Sequence, residues 1–270
     1  MITKDAFIVI KKEVEEAINQ AFQYAKDNEV NEGDFILFLA NAEYIKEYKD
    51  TPVNPFIVDY RANKRHDKER MNFLLDFINK HYNFPINETS DTAYSITLEL
   101  MIYSHIWESK PYLRQIKKLA NLCQSIDYDW SVAIPSKKKQ EYIRNNIRDI
   151  FLNSNLSLHS IITNGFHSSL RNAFAHSDYL IDINNSIINL KNYSGEHWEL
   201  KRLSINEWTV RFSYSFLLCY LFSNKIEEEK LQLSKDYYSV KLKRKNGSNA
   251  EGLIQFDHIR NSFRGLITNI

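Results

Sequence analysis

Residues that break regular structure are scarce in this sequence. Only six Gly and five Pro occur in 270 residues, which predicts long regular elements joined by few tight turns. Cys123 and Cys219 are the only cysteines and have no CxxC spacing. Two isolated thiols indicate a reducing compartment, and we expect both to be small buried apolar residues.

Long hydrophobic runs are also missing. The longest strongly apolar run, residues 216–222, is far shorter than the roughly 20 residues that a membrane-spanning helix needs. The apolar run near the first residue is too short for a signal peptide and is followed at once by charged residues. We therefore predict a cytoplasmic protein with no membrane partner.

The sequence lacks a strong charge of either sign. The formal net charge is +1, with 43% hydrophobic and 26% charged residues, as in ordinary globular proteins. A nucleic-acid partner would have to be held by a local basic surface, because the whole chain has almost no net field.

What is present is a series of apolar stripes at helical spacing. They predict helices over residues 10–25, 35–48, 92–107, 111–125, 136–151, 156–177 and 208–222. Branched residues around Asn184-Asn185-Ser186 predict a β-hairpin over residues 179–190, and Ser204 and Glu207 have capping-box spacing before the last long helix. The fold is predicted to be mainly α, with some β structure after residue 236.

A connecting segment near residue 91 suggests three parts. We predict an N-terminal helical region of unknown role over residues 1–91, a helical bundle over residues 92–235, and a C-terminal extension over residues 236–270.

The most informative stretch is residues 168–179. At 100° per residue, Arg171, Asn172, His176 and Tyr179 share one face of a helix, and small Ala175 leaves room above it. Arginine offers a planar, permanently charged fork for phosphate oxygens, and histidine transfers protons near neutral pH. Together they suit the activation of a ribose 2′-hydroxyl against its own phosphate without a metal ion.

Residues 171–176, Arg-Asn-Ala-Phe-Ala-His, resemble the Arg-x4-6-His signature of the HEPN family of ribonucleases. The resemblance covers about residues 92–232. It implies a HEPN-like helical bundle with a small β-hairpin before the last long helix, and a homodimer that brings two motifs together over RNA. It also implies that Arg171 and His176 are the catalytic pair and that Asn172 is the polar neighbour; we add Asp178 and Tyr179 as supporting residues.

A basic stripe precedes the motif. Lys137, Arg144 and Arg148 lie opposite the isoleucines of the predicted helix 136–151 and are candidate contacts for the RNA backbone, although such a stripe is equally often only a solvated face. Arg61 and His66 repeat the Arg-x4-His spacing inside a charged segment, and we interpret that pair as surface residues.

No cofactor is predicted, because the sequence has no P-loop and no GxGxxG motif. No metal site is predicted either, because HExxH and paired-cysteine spacings are absent and His159 and His167 are more simply explained as structural residues. The chemistry of Arg171 and His176 predicts a metal-independent endoribonuclease, and the resemblance implies the role of a toxin or abortive-infection effector, with a possible antitoxin or regulatory partner. The alternative is a non-catalytic HEPN scaffold that binds RNA, a nucleotide or a protein.

Overall fold

The structure, a computed structural model, describes residues 2–49, 54–59, 69–70, 72–77, 92–197, 199–243 and 249–268. The helices in the described ranges include α1 (Lys4–Asp27), α2 (Asp34–Leu39), α3 (Ala93–Glu108), α4 (Lys110–Leu122), α5 (Lys139–Ile143), α6 (Asp149–Asn153), α7 (Leu158–Gly165), α8 (Ser168–Ala175) and α9 (Ile205–Leu231). The strands are β1 (Glu43–Tyr44), β2 (Phe56–Ile57), β3 (Tyr179–Asp182), β4 (Ile187–Leu190), β5 (Arg202–Ser204), β6 (Tyr237–Lys243), β7 (Asn249–Asp257) and β8 (Ser262–Thr268). Within these ranges, no helix combines the length and hydrophobicity needed to cross a bilayer.

The prediction of a mainly α fold, a HEPN-like bundle, is wrong. The described residues form a mixed α/β structure with three antiparallel sheets, in the strand orders β1-β2, β3-β4-β5 and β6-β7-β8. The hairpin of β3 and β4 is confirmed, but β5 adds a third strand to it through pairs such as Ile188 with Leu203. A strand of three residues is too short for its alternation of apolar and polar residues to be recognised in the sequence. Its position is fixed by pairing with a neighbouring strand.

The predicted helix over residues 35–48 is also wrong in its second half. Helix α2 ends at Leu39, and Asn41 adopts a positive φ of 43°, which turns the chain into β1. Tyr44 then pairs with Phe56 across the small sheet, and the Phe56 ring packs edge-on against Trp130. These aromatic contacts stabilise an extended conformation in a segment whose apolar residues also fit a helix.

Helix α9 is the buried central helix that the sequence predicts. Its first turn has the capping box of Ser204 and Glu207, and side chains on every face of its middle turns are buried. Helices α1, α3 and α7 pack around it, and Phe222 makes edge-on contacts with Phe22 of α1 and Phe38 of α2.

One hydrophobic cluster extends from Ile2 to Phe263 and includes residues from all three predicted parts of the chain. Lys118 of α4 is buried among them. Its Nζ donates to Asn41 Oδ1 at 3.1 Å and to the carbonyl of Ala42 at 2.8 Å. Burial lowers its pKa to about 8, against the opposing effect of Glu43.

The predicted helix over residues 136–151 is present but irregular. It begins at Lys139 and not at residue 136, because Lys138 lies in the left-handed region with φ 54°. Residues Arg144–Arg148 then form one π-helical turn before α6. Such turns contain one extra residue and frequently lie at functional sites.

Candidate functional site

The predicted helix over residues 156–177 is two helices, α7 and α8, with extended backbone at Phe166 and His167. The break follows a close approach to α9, where Ser215 Oγ donates to the carbonyl of Gly165 at 3.0 Å. Trp107 Nε1 in turn donates to the same hydroxyl at 3.0 Å. A Cβ on Gly165 would lie 3.0 Å from Ser215 Oγ, so a larger residue there would push the helices apart.

His167 starts the site helix α8. Its side-chain Nδ1 accepts the backbone N–H of Ser169 at 3.2 Å, and the backbone N–H of His167 donates to Tyr103 Oη at 2.8 Å. Burial, with smaller contributions from Arg211 and Arg144, lowers the pKa of His167 to about 4. The imidazole is therefore neutral and able to accept this capping hydrogen bond at neutral pH.

Helix α8 has the two predicted faces as far as His176, but Tyr179 lies beyond its end, in β3, and is not part of the polar face. Leu170, Ala173 and Phe174 are buried, and the Phe174 ring lies edge-on to Tyr103 and Trp208 at centroid distances of 6.0 and 5.2 Å. This packing fixes the rotation of α8 about its axis. The polar residues of the same helix consequently face an open cavity.

The cavity has a volume of about 390 Å³ and three cationic side chains in its wall. It is lined by Ser136, Lys138, Lys139, Gln140, Ser169, Arg171, Asn172, His176, Asn192 and Glu199. The structure thus brings together Arg171, Asn172 and His176 from the predicted set, and adds residues from α5 and from the connection between β4 and β5.

Arg171 is not a free cation. Its guanidinium forms an ion pair with Glu108, the last residue of α3, and Lys139 of α5 forms an ion pair with the same carboxylate. The side chain of Lys139 is only 9% exposed, and that of Arg171 only 17%. One carboxylate therefore holds two cations on the same wall of the cavity, at the meeting point of three helices.

Asn172 joins the same network through its side-chain carbonyl. Its Oδ1 accepts from Gln140 Nε2 at 2.6 Å and from Arg171 Nη1 at 3.1 Å. The amide therefore ties α5 to α8 and limits the rotation of the guanidinium, which is a positioning role.

His176 lies at the C-terminal end of α8, one turn after Asn172, and its side chain is exposed. Its backbone N–H donates to the carbonyl of Asn172, which closes the helix. Its imidazole makes no hydrogen bond or ion pair with any residue that the structure describes. Of the predicted catalytic pair, His176 is therefore the group that is available to a ligand.

The two other supporting residues lie outside the cavity. Asp178 follows the positive φ of 57° at Ser177, and its N–H donates to the carbonyl of Ala173. Tyr179 opens β3, and its ring packs edge-on against Phe174 at 5.2 Å. Both act in the turn from α8 into the sheet, and this turn determines where His176 lies.

The predicted RNA-contact stripe is not assembled at the cavity. Lys137 is exposed and precedes α5, Arg144 donates to Ser168 Oγ at 2.6 Å, and Arg148 pairs with Asp149 at 2.7 Å. Lys138 and Lys139 line the cavity instead. The π-helical turn changes which side chains of this segment share a face, which a regular helical wheel does not anticipate.

Arg61 and His66, the second pair with Arg-x4-His spacing, lie outside the described residues. Across the described ranges, no three His, Cys, Asp or Glu side chains are grouped closely enough to hold a metal ion. The site residues that sequence reasoning missed come from α3, α5 and the connection between β4 and β5, and they share no motif: Glu108, Lys139, Gln140, Asn192 and Glu199.

Comparison with known proteins adds no relative: no protein-family model, no curated protein and no solved structure matches this chain. Any function must therefore be inferred from the residues of the cavity.

Proposed function

We propose that this chain is an endoribonuclease that cleaves RNA by attack of a ribose 2′-hydroxyl on the adjacent phosphate. The observation that carries the proposal is the cavity, which is lined by the cations of Arg171 and Lys139 and by the imidazole of His176, a side chain with no partner among the described residues. A phosphodiester needs both features, namely positive charge for its oxygens and a group that transfers a proton near pH 7.

The proposed step is a transesterification that needs no metal ion. The imidazole of His176 takes the proton of the 2′-hydroxyl, the 2′-oxygen bonds to phosphorus, and the bond from phosphorus to the 5′-oxygen breaks. Arg171 and Lys139 stabilise the charge that develops on the non-bridging oxygens. The products are a 2′,3′-cyclic phosphate and a 5′-hydroxyl, which receives a proton from a second acid.

The second acid is best supplied by a second copy of the chain. One neutral imidazole accepts a proton but cannot donate one in the same step, and His176 is the only histidine in the cavity wall formed by the described residues. A homodimer with facing α8 helices would supply two His176 side chains around one phosphate. Ala175, which is exposed and precedes His176, is small enough to let the two α8 helices approach each other closely.

The wider biological setting is proposed on the motif alone. The spacing of Arg171 and His176 supports a relationship to HEPN ribonucleases. This proposal concerns the site residues and not the fold. A toxin or antiphage effector in the cytoplasm, restrained by an antitoxin or another regulatory partner, is the role that this kinship implies. Growth arrest on expression of the wild type, and its absence with His176→Ala, would support that role.

A binding protein without catalysis is the second candidate. The ion pair of Arg171 with Glu108 favours it, because a guanidinium already engaged by a carboxylate has fewer donors left for a transition state. In that case the cavity would hold the phosphate of an RNA or a nucleotide without cleaving it.

Product analysis tests the proposed function. Purified wild-type protein is incubated with RNA in EDTA, and the ends of the fragments are identified by mass spectrometry. We expect 2′,3′-cyclic phosphate ends from the wild type, loss of cleavage with His176→Ala, and unchanged cleavage with His258→Ala. His258 is a suitable control because it is a partly exposed histidine at the C-terminal sheet. Cleavage by His176→Ala at the wild-type rate would refute the proposal.

A further inference from the structure

The connection between β4 and β5 forms one side of the cavity, and both of its ends are fastened to the site helix. Asn192 Nδ2 donates to the carbonyl of Ser169 at 3.0 Å, and the N–H of Leu200 donates to Ser169 Oγ at 3.2 Å. Ser169 is itself buried. The connection therefore has a defined position relative to α8 and its cavity.

The tip of the connection is closed by Glu199. Its carboxylate accepts the backbone N–H groups of Ser194, Gly195 and Glu196 at 2.7, 3.2 and 3.4 Å. The hydrogen bond from Ser194, the first of these, lowers the pKa of Glu199. The tip is thus held by a charged group that stays ionised at neutral pH, which preorganises this side of the cavity.

One acceptor in this wall has no donor. Asn192 Oδ1 is buried, and no residue within the described ranges donates to it. The orientation of the amide is fixed, because the opposite flip would place two oxygens against each other at Ser169. A buried acceptor without a partner is unfavourable, so an N–H or O–H of a ligand would bind here at an advantage.

The next residue adds an exposed aromatic surface. Tyr193 is 41% exposed, and Lys201 Nζ lies 6.0 Å from the centre of its ring. Lys201 lies over one face of the ring, which leaves the other face for a base, and proteins that bind single-stranded nucleic acid stack bases on such exposed rings near positive charge.

We propose that Asn192, Tyr193 and Lys201 form a nucleobase subsite beside the phosphate-binding wall of Arg171 and Lys139. A base stacks on Tyr193, an N–H of the base or a ribose hydroxyl donates to Asn192 Oδ1, and Lys201 attracts the phosphate on the far side of that nucleotide. This inference rests on the proposed function, because it takes the ligand of the cavity to be RNA.

Removal of the bases from a ligand tests the subsite independently of cleavage. Binding is measured by fluorescence anisotropy with a single-stranded, labelled 2′-fluoro RNA of eight nucleotides, which has no 2′-hydroxyl to react, and with the same backbone carrying abasic sites. For the wild type we expect the abasic ligand to bind about tenfold more weakly, in line with the value of one stacked base.

The variants separate stacking from charge. Tyr193→Ala should lose this tenfold difference and Tyr193→Phe should keep it, while Lys201→Ala should weaken both ligands equally. Tyr237→Ala, at a tyrosine of β6 that is 49% exposed, should behave as the wild type. An unchanged difference in Tyr193→Ala would overturn the subsite while leaving His176-dependent cleavage untouched. A Tyr193-dependent difference without any cleavage would support the subsite and count against the ribonuclease.

Discussion

Arg171 and Glu108 form an ion pair across 63 positions of the chain, from the site helix α8 to the last residue of α3. Lys139 shares the carboxylate, so the network holds one more positive than negative charge. This excess positive charge lies in the wall of the cavity, where it can attract an anionic ligand. Because the carboxylate is shared, the two cations repel each other less than two unpaired cations would. The pair also makes Glu108 a positioning residue for both cations.

Loss of Glu108 should therefore lower the stability of the folded protein. Glu108→Ala leaves Lys139 nearly buried without a counter-ion, and we expect the free energy of unfolding to fall by about 2 kcal/mol, less than the roughly 3–5 kcal/mol for a fully buried pair. Glu108→Gln keeps an acceptor and should lose less. Urea unfolding measures both values. Glu141→Ala, which breaks only an exposed pair with Lys138, should change little. An equal effect of Glu108→Ala and Glu141→Ala would contradict the positioning role.

The cap at His167 should make the protein sensitive to acid. The pKa of His167 is about 4 in the folded protein, below its ordinary value of 6.5. Between pH 6.5 and 4 the unfolded chain binds a proton that the folded chain does not, so stability falls as the pH is lowered through this window. His167→Asn supplies a capping residue that does not titrate. Its melting temperature should fall less than that of the wild type between pH 6.5 and 4, and parallel curves would count against this account.

Lys118 should act at the other end of the pH scale. Burial holds its pKa at about 8 in the folded protein, against an ordinary 10.5. From pH 8 upwards the unfolded chain retains a proton that the folded chain has lost, so Lys118 should contribute a rise in the free energy of unfolding between pH 8 and 10, measured as the difference from a variant without this lysine. Lys118→Met removes this rise, whereas Lys12→Met, at a lysine that is 77% exposed, should keep it. Urea titrations at pH 8, 9 and 10 compare the three proteins, and a rise retained by Lys118→Met would show that another group causes it.

Assembly can be tested at Ala175. If two α8 helices face each other in a homodimer, a bulky side chain at this exposed position keeps the copies apart without disturbing the core. Ala175→Trp should shift the protein from dimer to monomer in analytical ultracentrifugation and lower RNA cleavage at least tenfold, with a melting temperature close to that of the wild type. Leu180→Trp, at an exposed position in β3, serves as the control. A wild-type protein that is monomeric and fully active would refute the dimer.

The sequence was sufficient to predict the elements with strong local signals. Helix α9, with its capping box and apolar surface, and the hairpin around Asn184 are present as expected. The two faces of α8 also follow from spacing alone. Each of these features depends on residues within a few turns of one another.

Features that depend on distant residues escaped prediction. The break at Gly165 depends on a serine 50 positions later, and β5 exists only through its pairing with β4. Glu108 has no motif that marks it as the partner of Arg171 and Lys139. A charged residue at the end of an apolar helix is ordinarily solvated, and only the packing of α3, α5 and α8 brings the three side chains together.

The π-helical turn at Arg144–Arg148 sets the phase between two halves of one helix. Residues before it, Lys139 and Gln140, belong to the cavity, and residues after it, Ile150 and Phe151, belong to the core. An α-helix advances about 100° per residue, so if the same residues wound as a regular α-helix, without the wider turn, the two halves would rotate against each other by roughly that angle. With the core side anchored, Lys139 would turn away from Glu108. The length of this turn is therefore as much a part of the site as the identity of its side chains.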